Sequence, residues 1–272
     1  PMIDTSEGIF HKVTFGNIDF LVLDNRSARS PVGQALTEVG GNLVYSPPPG
    51  HTILGPVQLD WFLKELNKSR ATFKFFITGT NFNVGLQNAF NLFLNLPPSV
   101  GALPGAAMAD GWAGFQEEQD SILNYIATEK IKDVLAISGD SHTSAIDDGT
   151  NAGVPEMMAA NLEQANSSLN IFLQTFLGVD LWNQGGQGIG NLNLEDAFGY
   201  VETYGQDSVC LSILDNDDDL IAKYCHRSCS FESGLDITAD SIKNVSCNGL
   251  SNGEIKLTGT GGTAPYLFAY EQ

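Results

Sequence analysis

Apolar residues in the first half of the chain cluster in a way that predicts alternating strands and helices. Three continuous apolar runs, Ile18–Leu23 and the segments ATFKFFITGT and KDVLAISGDSH, indicate buried strands. Two stretches between them carry apolar residues three or four positions apart, which is the spacing of one helix face. This order of strand, helix, strand, helix and strand predicts an α/β sheet with crossover helices.

The two predicted helices lie in the segments GPVQLDWFLKELNKS and FQEEQDSILNYIATEK. Pro56 fits the first turn of the first helix, because proline lacks the N–H that an interior position needs. The residues that form the two apolar faces are Leu59, Phe62, Leu63 and Leu66 in the first helix and Phe115, Gln119, Ile122, Leu123 and Ile126 in the second.

Two further segments are rich in proline and glycine and are predicted to be long loops. They are SPVGQALTEVGGNLVYSPPPGHTILG and NFNVGLQNAFNLFLNLPPSVGALPGAAMADGW, the second interrupted by Pro97, Pro98 and Pro104. Long loops inside compact domains often carry function.

The second half of the chain has a different pattern. Apolar spacing from Pro155 to about Leu177 predicts another helix, followed by a glycine-rich loop. Three short strands, GYVETY, SVCLSIL and LIAKYC, are then expected to pair antiparallel, with DNDDD as a hairpin turn. Composition shifts to Gly, Ser, Thr and Asn near Glu232, so we predict one domain over 1–232 and the start of a small β domain over 233–272.

Composition limits the possible partners. The 272 residues include 32 acidic and 13 basic side chains, for a net charge of −19, and such a surface repels nucleic acid and anionic membranes. No apolar stretch approaches the ~20 residues of a transmembrane helix. The chain begins Pro1-Met2 and ends in PYLFAYEQ, and we expect it to be a segment of a longer protein at both ends.

All four cysteines, Cys210, Cys225, Cys229 and Cys247, lie in the last quarter of the chain. Disulfides or buried thiols in an exported protein are favoured over a metal clip, because C-x3-C is an unusual ligand spacing and no second ligand pair follows. No G-x-S-x-G turn occurs and no cysteine has the context of a nucleophile, so the catalytic residues are left unassigned.

Polar residues follow each predicted parallel strand. The three strand ends carry Asp24–Ser27, Thr78–Asn81 and Ser138–His142, and ligands of open α/β sheets bind at such carboxyl ends. Asp140 and His142 offer a carboxylate and an imidazole, which suit several metal ions. The alternative is a turn in which Asp140 caps backbone amides.

Four blocks in one order extend this picture. They are FLVLDNRSAR, LGPVQLDWFLKELNKSRATFKF, DGWAGFQEEQDSIL and VLAISGDSHTSAI, spanning about Gly8 to Ser144. The chain thereby resembles the PhoD-like alkaline phosphatase/phosphodiesterase family of metallophosphoesterases. Phe115 and Gln119 stand where the family pattern has Tyr and Arg, and we expect both exchanges to preserve packing.

The resemblance implies a metallophosphoesterase-like mixed β-sandwich flanked by helices, here without its N-terminal part. It implies that Asp140 and His142 bind a metal centre holding iron, calcium or related ions. Arg26 becomes a candidate for holding phosphate or bracing a ligand carboxylate, with an ion pair to Asp24 or another strand-end acid as the alternative. The family's acidic and histidine blocks of the GDxxD and GN(H/P)-(D/E) type are not found in this sequence, so we expect little activity from it alone.

The segment VSCNGLSNGEIKLTGTGGTAPYLFAY resembles the SprB-type repeat of large bacterial surface adhesins. Two functions are consistent with the whole sequence. One is a secreted or cell-surface, metal-dependent phosphoester hydrolase that acts on small phosphate esters. The other is a non-catalytic adhesion protein that uses the phosphatase-like fold as a scaffold.

Overall fold

The computed structural model describes residues 8–162, 178, 181–189, 195–229, 236–244 and 253–260. The chain forms two compact units, 1–228 and 229–272, and the predicted boundary after Glu232 stays a prediction. In chain order the strands are β1 (His11–Phe15), β2 (Ile18–Val22), β3 (Leu36–Val39), β4 (Asn42–Tyr45), β5 (Phe73–Thr78), β6 (Val134–Ser138), β7 (Ser144–Asp147), β8 (Glu156–Ala159), β9 (Ala197–Tyr204), β10 (Ser208–Asp215), β11 (Leu220–Arg227), β12 (Asp236–Lys243) and β13 (Glu254–Thr260). The helices are α1 (Gly55–Lys68), α2 (Gly85–Leu94), α3 (Pro98–Met108) and α4 (Gln116–Thr128).

The first unit is built on a six-stranded mixed sheet in the order β1-β2-β5-β6-β8-β7. The four inner strands are parallel, and β1 and β7 pair antiparallel at the two edges. The three buried strands and both helices predicted from the apolar pattern are confirmed. Helix α1 begins with a proline in its first turn and buries Phe62 and Leu66, and α4 buries Ile122 and Ile126.

Side chains alternate between the two faces of the sheet, as the pleat requires. Phe76 and Ala136 join the residues of α1 and α4 in one core, whereas Phe75 and Leu135 join a second core with the three-stranded antiparallel sheet β11-β10-β9. Two packed sheets with helices on the outer face form the mixed α/β sandwich that the resemblance implied. The predicted antiparallel strands and the DNDDD hairpin turn are confirmed.

A disulfide joins Cys210 to Cys225, which face each other across β10 and β11. This pairing is one of the alternatives left open by the cysteine spacing. Cys229 is exposed, and Cys247 lies outside the described residues.

Both predicted long loops contain regular structure. The first carries the β3–β4 hairpin, and the second forms α2 and α3, with Pro104 inside α3. The loop prediction was wrong there because buried apolar residues of α2, among them Phe90 and Phe93, pack in a common core and offset the proline.

The helix predicted from Pro155 is wrong at Glu156–Ala159, which forms β8 between β6 and β7. Glu156, Met157 and Met158 are all buried there, and an apolar run this short does not distinguish a strand from a helix. Residues 163–177, the rest of that predicted helix, lie outside the described residues.

In the second unit, β12 and β13 form an antiparallel pair, consistent with a small all-β region. None of the helices in the described part of the chain has the length and apolar character needed to cross a membrane.

Candidate active site

The carboxyl ends of β2, β5 and β6 meet at one edge of the large sheet. The Oδ1 of Asn25, just after β2, accepts hydrogen bonds from the Thr78 hydroxyl at 2.9 Å and from the Gly79 N–H at 2.6 Å. Arg26 reaches across to Asp140 after β6. The three polar strand ends found in the sequence therefore lie side by side.

Asp24 serves the turn that follows β2. Its Oδ1 accepts from the backbone N–H groups of Arg26 and Ser27, and its Oδ2 accepts from the Ile9 N–H and the Ser27 hydroxyl. Burial by itself raises the pKa of Asp24, but these hydrogen bonds outweigh it and lower the pKa to about 2. Asp24 is thus an ionised structural acid that fixes the backbone around Arg26.

The loop after β6 holds two residues in a backbone conformation that favours glycine. Asp140 has φ +70° and His142 has φ +53°, and both side chains are exposed. Non-glycine residues are uncommon in this left-handed region, and such strain concentrates at functional sites. Within the described residues the Asp140 carboxylate pairs with Arg26 rather than with a backbone amide, so the capping alternative does not describe this loop.

Arg26 lies between two acids. Its Nη1 is 3.2 Å from Oδ2 of Asp110, and its Nη2 is 3.4 Å from Oδ2 of Asp140. The ion-pair alternative is therefore seen, although not with Asp24, whose carboxylate accepts the backbone N–H of Arg26 instead. The Arg26 guanidinium remains half exposed and accessible to a ligand.

Asp110 is held from a second side by Arg29. The Nη2 of Arg29 is 2.8 Å from Asp110 Oδ1, and its Nη1 donates to the Asp110 carbonyl at 2.6 Å. Partial burial raises the pKa of Asp110, but the two guanidinium groups outweigh it and lower the pKa. An ionised Asp110 thus orients Arg26 toward the strand edge.

The donors at this edge fit a metal ion by type. Asp140 offers carboxylate oxygens and His142 imidazole nitrogens, and iron accepts both, whereas calcium accepts the oxygens. Among the described residues these two do not belong to any group of three or more acid, imidazole or thiolate donors within 4.8 Å of one another. A full coordination sphere therefore needs ligands beyond this pair.

Glu156 lies behind the end of β6 and is fully buried. Its Oε1 accepts from the Ser138 hydroxyl and from the Phe82 N–H, while Oε2 has no partner among the described residues. Burial is the main cause that raises the pKa of Glu156 to about 7. Glu156 supports the strand end that carries Asp140 and does not itself reach solvent.

A cleft of about 200 Å³ opens beside Asp140 and Asp110. Its other walls come from α2, α3 and the Trp112–Gly114 turn, including Leu86, Met108 and Trp112. The charged strand edge thus continues into a mainly apolar depression.

The sequence patterns indicate no role for Asp110 or Glu156. Asp110 begins the DGW segment, which belongs to one of the four blocks but carries no chemistry by itself. Asp110 is identified only from the structure, because its ion pairs with Arg26 and Arg29 place it at the strand edge.

The fold is a mixed α/β sandwich with a charged strand edge, and comparison with known proteins gives the family. Residues 1–181 match the PhoD-like phosphatase family, and the chain belongs to that family. Residues 239–269 match the SprB repeat.

Individual relatives agree with this assignment. Alkaline phosphatase D of Bacillus subtilis (strain 168) is 29% identical over 189 residues, covering 66% of this chain and 27% of that protein. A solved structure described as "Structure of PhoD" has a TM-score of 0.52 at 16% identity, covering 81% of this chain and 42% of the other. The chain thus spans about a quarter of the curated relative, and at this identity the solved structure supports the fold alone.

Proposed function

We propose that the chain is part of a secreted or cell-surface, metal-dependent phosphoester hydrolase of the alkaline phosphatase or phosphodiesterase type. The observation that carries the proposal is Arg26, whose guanidinium bridges Asp110 and Asp140 on the strand edge that also carries His142. A guanidinium matches phosphate oxygens in a bidentate manner, and a carboxylate with an imidazole matches metal ions.

Each residue has a role in this proposal. A metal ion, with iron or calcium suggested by the family, would supply an activated water and neutralise phosphate oxygens. Asp140 and His142 would hold the ion. Arg26 would bind the phosphate oxygens, and Asp110 with Arg29 would keep its planar group in position. The substrates would be small phosphate esters, and the net charge of −19 argues against nucleic acid as a partner.

The proposal is tested on the protein produced from the complete coding sequence that contains residues 1–272. Metal content and p-nitrophenyl phosphate hydrolysis are measured for the wild type, for His142→Ala and for His11→Ala, a control at another exposed histidine. We expect His142→Ala to lose metal and at least about 100-fold in rate, because ligand loss should exceed the ~10–100-fold effect of losing an outer partner. Unchanged metal content and rate would contradict the proposal.

Residues 1–272 by themselves are expected to hydrolyse phosphate esters little or not at all. The proposal assigns two metal ligands in this chain, Asp140 and His142, and a metal centre that activates water needs at least three protein ligands. A hydrolysis rate for residues 1–272 near that of the protein produced from the complete coding sequence would refute this expectation.

Export is proposed from two features. A disulfide such as Cys210–Cys225 persists in oxidising compartments. Residues 239–269 match the SprB repeat, and this segment resembles repeats of bacterial surface adhesins. Protease treatment of intact cells should digest the protein if it is displayed at the surface, whereas a protected, reduced protein would contradict export.

The SprB match also motivates the second candidate function, an adhesion protein that uses the phosphatase-like fold as a scaffold. This function predicts a complete protein without bound metal and without turnover. The metal analysis above therefore separates the two candidates.

A further inference from the structure

The cleft beside Asp140 has one charged side and one apolar side. Asp110, Asp140 and Ser141 lie on the charged side, next to Arg26. The apolar side is formed by Leu86, Pro104, Ala107, Met108, Trp112 and Ala113. The two acids by themselves disfavour an anion, so a phosphate group would be held by the half-exposed guanidinium of Arg26 beside the cleft, with the organic group of the ligand against the apolar side.

The size of the cleft limits the apolar end. Its volume is about 200 Å³, somewhat more than the about 150 Å³ of an apolar cavity that accepts benzene. One aromatic ring or a short branched alkyl group fits this space. Mainly apolar pockets with a few placed polar groups are the usual form of small-molecule sites.

Thr80 supplies an unused polar group in this cleft. Its side chain is only 3% exposed, and its hydroxyl has no hydrogen-bond partner among the described residues. A buried hydroxyl without a partner is costly, so a ligand oxygen in the cleft would relieve it. An ester oxygen between a phosphate and an apolar group has the required chemistry.

The cleft is also held in shape. The Trp112 Nε1 donates to the Thr78 hydroxyl at 2.9 Å, and the Trp112 ring meets Phe82 edge-on at 5.1 Å between centroids. Arg29 fixes the backbone at Asp110. A preformed pocket loses less freedom when it binds its ligand.

We propose that this cleft binds the alcohol portion of the phosphoester and selects aryl or short branched alkyl esters over small polar ones. The inference rests on the proposed function, since Arg26 is taken to hold the phosphate group. Thr80 then donates to the ester oxygen, and the walls from α2 and α3 cover the organic group.

The test compares phenylphosphonate with methylphosphonate, two non-hydrolysable probes that differ in their apolar group. Affinities are measured by calorimetry on the protein produced from the complete coding sequence and on two variants of it, Ala107→Trp and Ala106→Trp. Both alanines are exposed on α3, but only Ala107 lines the cleft. Circular dichroism checks that each variant is folded, and Ala107→Leu serves as a smaller replacement if the tryptophan disturbs α3.

We expect the wild type to bind phenylphosphonate at least about tenfold more tightly than methylphosphonate, because apolar contacts in a pocket give discrimination of this order. The ratio should fall to near one in Ala107→Trp and stay at the wild-type value in Ala106→Trp. Equal affinities in the wild type, or equal effects of both variants, would overturn the inference.

The inference and the proposed function can fail separately. If no phosphate ester is hydrolysed and neither phosphonate binds, phenol, which is uncharged at neutral pH, is used as the probe. Binding of phenol that Ala107→Trp alone abolishes would support the cleft while the hydrolase function fails, and no binding would overturn both. Hydrolysis of p-nitrophenyl phosphate and glycerol phosphate with equal kcat/KM would overturn the inference and leave the hydrolase function standing.

Discussion

An aspartate and a histidine lie at each end of β6. Asp133 precedes the strand and meets His226, whereas Asp140 and His142 follow it. Both aspartates have the left-handed backbone conformation, with φ +56° for Asp133 and +70° for Asp140. The two regions therefore share their residue types and the backbone conformation of the aspartate.

They differ in burial and in hydrogen bonding. The Asp133 side chain is 0% exposed and accepts from His226 Nε2 at 3.0 Å and from the Ser228 hydroxyl at 2.9 Å. The Asp140 side chain is 51% exposed and pairs with the half-exposed Arg26. The buried Asp133 joins two sheets through His226 and Ser228, whereas the exposed carboxylate of Asp140 is available to a ligand. Residue type thus does not distinguish these two acids, whereas burial and hydrogen bonding do.

The same substitution at both acids should separate the two roles. We expect Asp133→Ala to lower the free energy of unfolding by about 4 kcal/mol, because the buried Ser228 and the partly buried His226 lose their acceptor and alanine is strained at this φ. Asp140→Ala should lower it by only about 1 kcal/mol, from the strain alone. Urea denaturation measures both values, and equal losses would remove the distinction between the two acids.

Glu156 extends the comparison to a buried acid behind the strand edge that carries Asp140. Its pKa is raised from 4.5 to about 7, so between these pH values the folded chain keeps a proton that the unfolded chain has lost. Stability should therefore fall as pH rises from 4.5 to about 7, by on the order of 3 kcal/mol from this group.

The matched variant is Glu156→Gln, which keeps an acceptor for Ser138 and Phe82 but does not titrate. Thermal unfolding from pH 4.5 to 7 should show a shallower decline for the variant than for the wild type. Parallel profiles would mean that Glu156 does not titrate in this range.

Substitution of Arg26 tests the exposed region around Asp140. Its ion pairs with Asp110 and Asp140 are partly solvated, so Arg26→Ala should change the free energy of unfolding by less than about 1 kcal/mol. If Arg26 holds phosphate, the same variant should weaken phosphate binding measured by calorimetry. A large loss of stability with unchanged phosphate affinity would make Arg26 a structural residue.

The smallest effect is expected at His142. Glycine adopts φ +53° without strain, so His142→Gly should raise the free energy of unfolding by about 0.5 kcal/mol, after the added entropy of the unfolded chain is subtracted. A loss of stability would show that the imidazole makes a stabilising contact and would weaken its role as an available ligand.

Much of the central fold follows from local patterns. The strands β2, β5 and β6 are continuous apolar runs, and the spacing of Phe62 and Leu66 defines the buried face of α1. The glycine- and proline-rich segment before Trp112 was predicted as a loop but forms α2 and α3, because its apolar side chains find a core that composition does not reveal. The sequence therefore did not predict the apolar wall that α2 and α3 give to the cleft.

The sequence by itself determined the central strands and crossover helices, the acidic charge, the phosphatase family and the placement of Asp140 and His142 after a buried strand. Only the tertiary structure decided that Asp110 would orient Arg26, that the Thr80 hydroxyl would be buried with no partner among the described residues, and that Asp133 would be hydrogen-bonded to His226, 93 positions away. The reason is physical. Periodicity reports which side of an element faces the core, whereas burial, ion pairing and pKa depend on atoms that the fold brings together from distant parts of the chain.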